Sequence, residues 1–89
     1  MMETLAFIGL GRVGGALAVL LSRAGFQVAA VCDQNQEQLD SIAGQLDSTV
    51  LITTDAVQAA RAASVVFLTV QDRFIAPLCE QLAAAGAVG

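Results

Sequence analysis

Three glycines, Gly9, Gly11 and Gly14, follow a short apolar run in the stretch FIGLGRVGG from Phe7 to Gly15, and an acid, Asp33, stands nineteen positions after the last of them. Glycine has no reactive group; what it offers is bare backbone. Gly9 permits a tight turn out of a strand, and Gly11 leaves the main chain open to close approach. Unpaired N–H groups at the start of the next helix, helped by its dipole, then attract an anion without any lysine. Gly14 lets that helix pack closely on the strand before it. A carboxylate at the end of the following strand reaches the hydroxyls of a ribose. Strand, G-x-G-x-x-G, helix, strand and acid in this order describe a cradle for a dinucleotide. The bland alternative is an ordinary glycine turn with a turn-favouring Asp33. All five features stand in register, which favours the cradle.

The candidate cofactor residues here are Gly9, Leu10, Gly11, Arg12, Val13, Gly14 and Asp33. Gln34, Asn35 and Gln36 beside the acid are neutral, with no Arg or Lys to meet a 2′-phosphate. That favours NAD over NADP, although Arg12 in the loop can swing toward either phosphate group.

The elements that must position these residues can be read from periodicity. Thr4–Ile8 is a continuous apolar strand leading into the glycines. Val13, Leu17, Leu20, Leu21 and Ala24 recur at helical spacing, with Gly25 as the stop. Phe26–Cys32 is a second strand. Asn35 can cap a helix with the stripe Leu39, Ile42, Ala43 and Leu46, which Gly44 weakens. Thr49–Thr53 reads as a third strand, Asp55–Arg61 as a short helix, and Ser64–Val70 as a fourth strand. Asp72 can cap a last helix striped by Phe74, Ile75, Leu78, Cys79 and Leu82. Pro77 implies that this helix starts late, near Ala76, or bends. Strands with two apolar faces, alternating with helices, predict an α/β fold: a partial doubly wound parallel sheet in the order 3-2-1-4, with helices on both faces. The sequence ends at GAVG, where a fifth strand is expected to begin, so residues 1–89 read as one dinucleotide-binding domain and the N-terminal fragment of a longer protein.

Composition narrows the function further. The chain has 89 residues, 56% of them hydrophobic and 13% charged, with a net charge of −4. Four scattered arginines and no lysine make no nucleic-acid surface. No apolar run reaches the ~20 residues of a membrane span, and no secretory signal opens the chain. Two distant cysteines, Cys32 and Cys79, with no histidine anywhere, give a zinc ion almost no ligands. Both read as reduced, buried thiols of a cytoplasmic protein.

The stretch FIGLGRVG…LSRAGFQVAAVCDQN resembles the N-terminal domain of β-hydroxyacid dehydrogenases and their relatives, including 6-phosphogluconate dehydrogenase and pyrroline-carboxylate reductase. The shared residues are Phe7–Gly14, Ala24-Gly25 and Asp33-x-Asn35. It also resembles bacterial Rossmann-like proteins with an appended helical domain of unknown function. There the match is GRVG at Gly11–Gly14 and V-x-D-x-x-I at Val70, Asp72 and Ile75. The resemblance implies a Rossmann-type NAD(P)-binding domain of an oxidoreductase, followed by a helical domain supplying catalytic residues and dimer contacts. It further implies that Leu68, Thr69 and Val70 line the ribose and pyrophosphate side of the cofactor. The family usually places Pro before the strand-four acid, where this chain has Gln71.

The remaining residues divide between functional and structural readings. Thr69 can bond a ribose hydroxyl or serve as an inward structural Thr; Asp72 is read as a helix cap before it is read as a ligand. Histidine and tyrosine, the commonest proton donors of dehydrogenases, are absent, so the catalytic residues are expected outside this chain. A non-catalytic nucleotide-sensing module is the rival reading, since a fold does not fix a function. Strand four, as an apolar edge, can also pair with another copy, and a C-terminal domain is the other expected route to a homo-oligomer.

Overall fold

Leu5 and Phe7 turn to one side of the first strand and Ala6 and Ile8 to the other, and all four are buried. A strand buried on both faces needs helices on both faces, and the computed structural model has them. It describes residues 3–86, with the side chains of Arg12 and Asp72 outside the described set. The chain order is β1 (Thr4–Ile8), α1 (Arg12–Arg23), β2 (Gln27–Cys32), α2 (Gln36–Ala43), β3 (Leu51–Thr53), α3 (Ala56–Arg61), β4 (Val65–Leu68) and α4 (Asp72–Ala84). The four strands are parallel and ordered β3-β2-β1-β4, as the alternating pattern predicts. The expected fifth strand falls on residues 87–89, outside the described residues.

Two apolar layers flank the sheet. Leu5, Phe7, Leu10, Val28, Val31, Leu39 and Ile42 form one, with Phe7 and Phe67 stacked at 4.9 Å between β1 and β4. The other is built largely from small residues. Ala56, Ala59 and Ala60 of α3 lie against Ala6, Ala30 and Cys32, and Leu82 of α4 closes the layer.

Several boundaries differ from expectation, each for a local reason. α1 ends in a Schellman motif: Gly25 takes φ +99°, its N–H bonds the Ser22 carbonyl, and the Phe26 N–H bonds that of Leu21. That turn uses Phe26, so β2 begins one residue later. α2 stops at Ala43 with Gly44 as its cap, leaving Ala43 exposed and Leu46 packed on the core from the following turn. Asp47 then accepts both the N–H and the hydroxyl of Thr49, and its carbonyl takes the Val50 N–H. Thr49 and Val50 are thus held in a turn, and β3 starts only at Leu51. Those two Thr49 bonds also hold the Asp47 carboxyl below its usual pKa. At β4, Ser64 is occupied with Thr4 and Glu3, while Thr69 and Val70 lead out of the strand.

α4 neither starts late nor takes Asp72 as its cap. Gln71 holds the cap position, the Phe74 N–H bonds the Gln71 carbonyl at 2.8 Å, and the helix runs through Pro77. The proline leaves the Arg73 carbonyl without its usual helical donor. Gln71 has φ −63°, close to the angle a proline ring would impose, so this turn takes that conformation without a proline. Any side-chain role of Asp72 lies outside the described residues.

Candidate functional site

The register of the sheet assembles the site. Ile8 is paired with Cys32 on one side and Leu68 on the other. The next residue of each strand, Gly9, Asp33 and Thr69, therefore emerges at the same level on the carboxyl edge of the sheet. Here β1 is flanked by strands reached through crossovers on opposite faces, the place where α/β sheets open a crevice for ligands. A cleft of about 490 Å³ lies there, lined among others by Gly9, Gly11, Asp33, Gln34, Thr69, Val70 and Phe74.

The polar groups of the glycine turn can be followed one by one. The Gly9 N–H donates to the Cys32 carbonyl at 2.8 Å, and the Gly9 carbonyl accepts from the Thr69 hydroxyl. The Leu10 N–H donates to Asp33 Oδ2 at 2.7 Å, and the carbonyls of Leu10 and Gly11 share the Gly15 N–H. Gly11, at the N-cap of α1, supplies no side chain to cap the helix. The N–H groups of Gly11, Val13 and Gly14 have no protein partner among the described residues. Unpaired donors at a helix start form an anion site.

Space around the glycines agrees with that chemistry. A Cβ on Gly11 would meet nothing within 4 Å, so the main chain there is open. Gly9 is the opposite case: it takes φ +92°, and a Cβ would come within 2.6 Å of Val70 and 2.9 Å of the Thr69 carbonyl. Gly14 is closed as well, but its close neighbours are the Gly9 carbonyl and the Thr69 side chain rather than β1 itself. Gly11 leaves its backbone open; Gly9 and Gly14 let the turn close on itself. These residues fit a dinucleotide's pyrophosphate.

The other candidate residues take distinct places. Asp33 stands after β2 as expected, and besides the Leu10 bond its Oδ1 accepts the Asn35 N–H at 2.8 Å. It therefore braces the glycine turn while each oxygen keeps a free lone pair. The Leu10 side chain is buried in the core, and Val13 is 72% exposed outside the cleft lining. The Arg12 side chain lies outside the described residues. Sequence reasoning missed Phe74, Leu78 and Gln81, which bring α4 to the cleft wall. Their signal was topological: a helix that follows an edge strand begins at the carboxyl end of the sheet.

The description that fits this geometry is a family of NADP oxidoreductases, coenzyme F420-dependent, which matches residues 4–88. The chain belongs to that family. It is a Rossmann-type NAD(P)-binding domain of dehydrogenase-like oxidoreductases. Among solved structures it is similar to 3-hydroxyisobutyrate dehydrogenase of Mycobacterium tuberculosis, with a TM-score of 0.81 and 27% identity, over 96% of this chain and 28% of that one. It shares its fold with A. aeolicus prephenate dehydrogenase, solved with NAD+, at a TM-score of 0.77, 24% identity and 94% of this chain against 30% of that one. Lactobacillus casei scyllo-inositol dehydrogenase, solved with NAD(H) and scyllo-inositol, gives a TM-score of 0.70 at 21% identity, over 97% of this chain and 26% of that one. The chain thus spans less than a third of the length of each of these three. No curated protein matches it significantly. No helix among the described residues is long and apolar enough to cross a membrane.

The two cysteines of this family member differ. Cys32 is buried below the cleft, and burial, with Asp33 and Asp55 nearby, pushes its thiol up to about 11. Cys79 is exposed, contrary to the expectation of two buried thiols. α4 packs chiefly against α3, through Leu82 and Leu78, so only part of its apolar stripe is covered. Iodoacetamide at pH 8 is expected to label Cys79 rapidly in the native protein and Cys32 only after denaturation. Mass spectrometry finding early modification of Cys32 would contradict its burial. Because the folded thiol titrates higher than the unfolded one, Cys32 adds no pH dependence below about 9, and stability falls between 9 and about 11.

Proposed function

We propose that this chain grips the adenosine-diphosphate half of a nicotinamide dinucleotide, NAD in preference to NADP. Catalytic groups outside these 89 residues would then act on the other half. The observation that carries the reading is the open backbone at Gly11 beside unpaired N–H groups at the start of α1. Those groups would hold the pyrophosphate. Asp33 would use its remaining lone pairs on ribose hydroxyls, and Phe74 and Gln34 would wall the base. The nicotinamide, when bound, supplies hydride-transfer chemistry.

The cleft's own titratable groups support a binding role. Asp33 already serves two amides, and the Cys32 thiol stays protonated at neutral pH. A thiol held in that form is no nucleophile or base for a substrate. The preference for NAD rests on Asp33 and on the neutral Gln34, whose amide donates to the Thr54 carbonyl at 3.1 Å. A 2′-phosphate would meet a carboxylate there and no cation from β2 or the turn after it.

Titration with NADH and NADPH, followed by melting temperature and calorimetry, tests both parts. Ligand at ten times its Kd is expected to stabilise the fold by about 1.4 kcal/mol. Lack of any shift at millimolar NADH or NADPH would refute the cofactor reading. Asp33→Asn is expected to weaken NADH about tenfold more than NADPH, since the substitution relieves repulsion of the 2′-phosphate. The ratio matters because Asp33 also braces the turn, and damage to the turn lowers both affinities together. Equal losses would overturn the preference for NAD and leave binding itself intact.

A further inference from the structure

We propose that Thr69 is a positioning residue for the cradle: its hydroxyl clasps the Gly9 carbonyl and fixes the glycine turn instead of donating to the ligand. This rests on the cofactor reading above and concerns how that site keeps its shape. Thr69 follows β4, 60 residues from Gly9 in sequence, and its hydroxyl donates to the Gly9 carbonyl with the Ile8 carbonyl as a second acceptor at 3.3 Å. Its N–H extends the β1–β4 ladder to the Ile8 carbonyl at 2.9 Å. Gly9 is thereby held from both sides, by the Cys32 carbonyl of β2 at its N–H and by Thr69 at its own carbonyl.

The packing around this bond is equally close. A Cβ on Gly14 would strike the Thr69 hydroxyl, and a Cβ on Gly9 would lie 2.9 Å from the Thr69 carbonyl. Thr69 thus fills the space between the turn and the first turn of α1. A hydroxyl has one proton. Given to the Gly9 carbonyl, it is not available to a ribose oxygen at the same time. Orienting the Gly9 carbonyl orients the Gly9–Leu10 peptide, whose N–H Asp33 holds, and so fixes where α1 begins. The link also ties the phosphate cradle to the segment that opens α4.

Thr69→Val keeps the shape and removes the donor, whereas Thr69→Ser keeps the donor. Two readouts separate the roles: hydrogen exchange at the Gly9, Leu10 and Gly15 amides of the ligand-free protein, and calorimetric Kd values for NADH and ADP. Loss of one hydrogen bond, about fivefold in an equilibrium constant, is expected to speed exchange at these amides in Thr69→Val. NADH and ADP should both weaken about fivefold, and Thr69→Ser should behave as wild type in both assays. ADP lacks the nicotinamide-side ribose, so equal losses report on the phosphate grip. Weakening of NADH alone would mean that Thr69 contacts that ribose, and would overturn the clasp. Unchanged exchange in Thr69→Val, unchanged affinity despite faster exchange, or failure of Ser to rescue would overturn it as well. If wild type binds neither nucleotide, the cofactor reading falls, and exchange alone decides whether Thr69 holds the turn.

Discussion

Gly11→Ala is expected to weaken NADH binding roughly a hundredfold while the protein stays folded. Beyond its chain neighbours the added methyl meets no atom within 4 Å, so no packed element stands in its way. The cost to stability is that of placing alanine at a helix N-cap, about 1 kcal/mol or less. The ligand is opposed. The pyrophosphate reading puts phosphate oxygens in the space that the methyl takes, against the N–H groups of Gly11, Val13 and Gly14. Losing two charge-assisted hydrogen bonds at about 1.5 kcal/mol each gives the hundredfold. Calorimetric titration of a variant with a near-native melting temperature measures it. NADH affinity within about threefold of wild type would place the phosphates elsewhere.

How much of this could be read in advance depends on the range of the interactions involved. The strand before Gly9, the Schellman end of α1 at Gly25 and the Asn35 cap are local, and each is visible in a few adjacent residues. The sheet order followed from handedness once the elements were known. Asp33 was legible in type and place, yet its grip on the Leu10 N–H was not, because it crosses 23 residues and depends on the register of β1 with β2. Thr69 is more extreme. Its partner lies 60 residues away, and no spacing rule distinguishes a Thr facing a ligand from one that holds the turn beside it. Cys79 shows a different blind spot. Helical periodicity gives the direction of an apolar stripe but not how much of it is covered. Among the described side chains of α4 only Leu82 is fully buried, Leu78 is half-buried, and Cys79 and Phe74 are exposed. What covers β4 and α4 is decided by neighbours, and local sequence holds no information about those.

Gly14→Ala is the complementary case, expected to cost the fold about 3 kcal/mol. Its methyl would overlap the Gly9 carbonyl oxygen and the Thr69 hydroxyl. The first is backbone, held by β1 and β2, and the second is short and half-buried, so neither can swing aside. Overpacking of this kind costs about 1–3 kcal/mol, and pushing Thr69 away from Gly9 adds about 1 kcal/mol for the broken hydrogen bond. For a domain this small, each 1 kcal/mol lowers Tm by about 4–8 °C, so a fall of about 15 °C is expected. Gly44→Ala is the control: a Cβ there meets nothing within 4 Å and the residue already has helical angles, so Tm should not fall and should rise by about 2–8 °C. Combining Gly14→Ala with Thr69→Ala should recover part of the loss, because one of the two overlaps disappears and the Gly9 carbonyl, released from its clasp, can give way at the other. A Gly14→Ala variant as stable as wild type would mean that α1 does not close on the turn. The cradle's shape would then be set by something other than the contact of Gly9, Gly14 and Thr69.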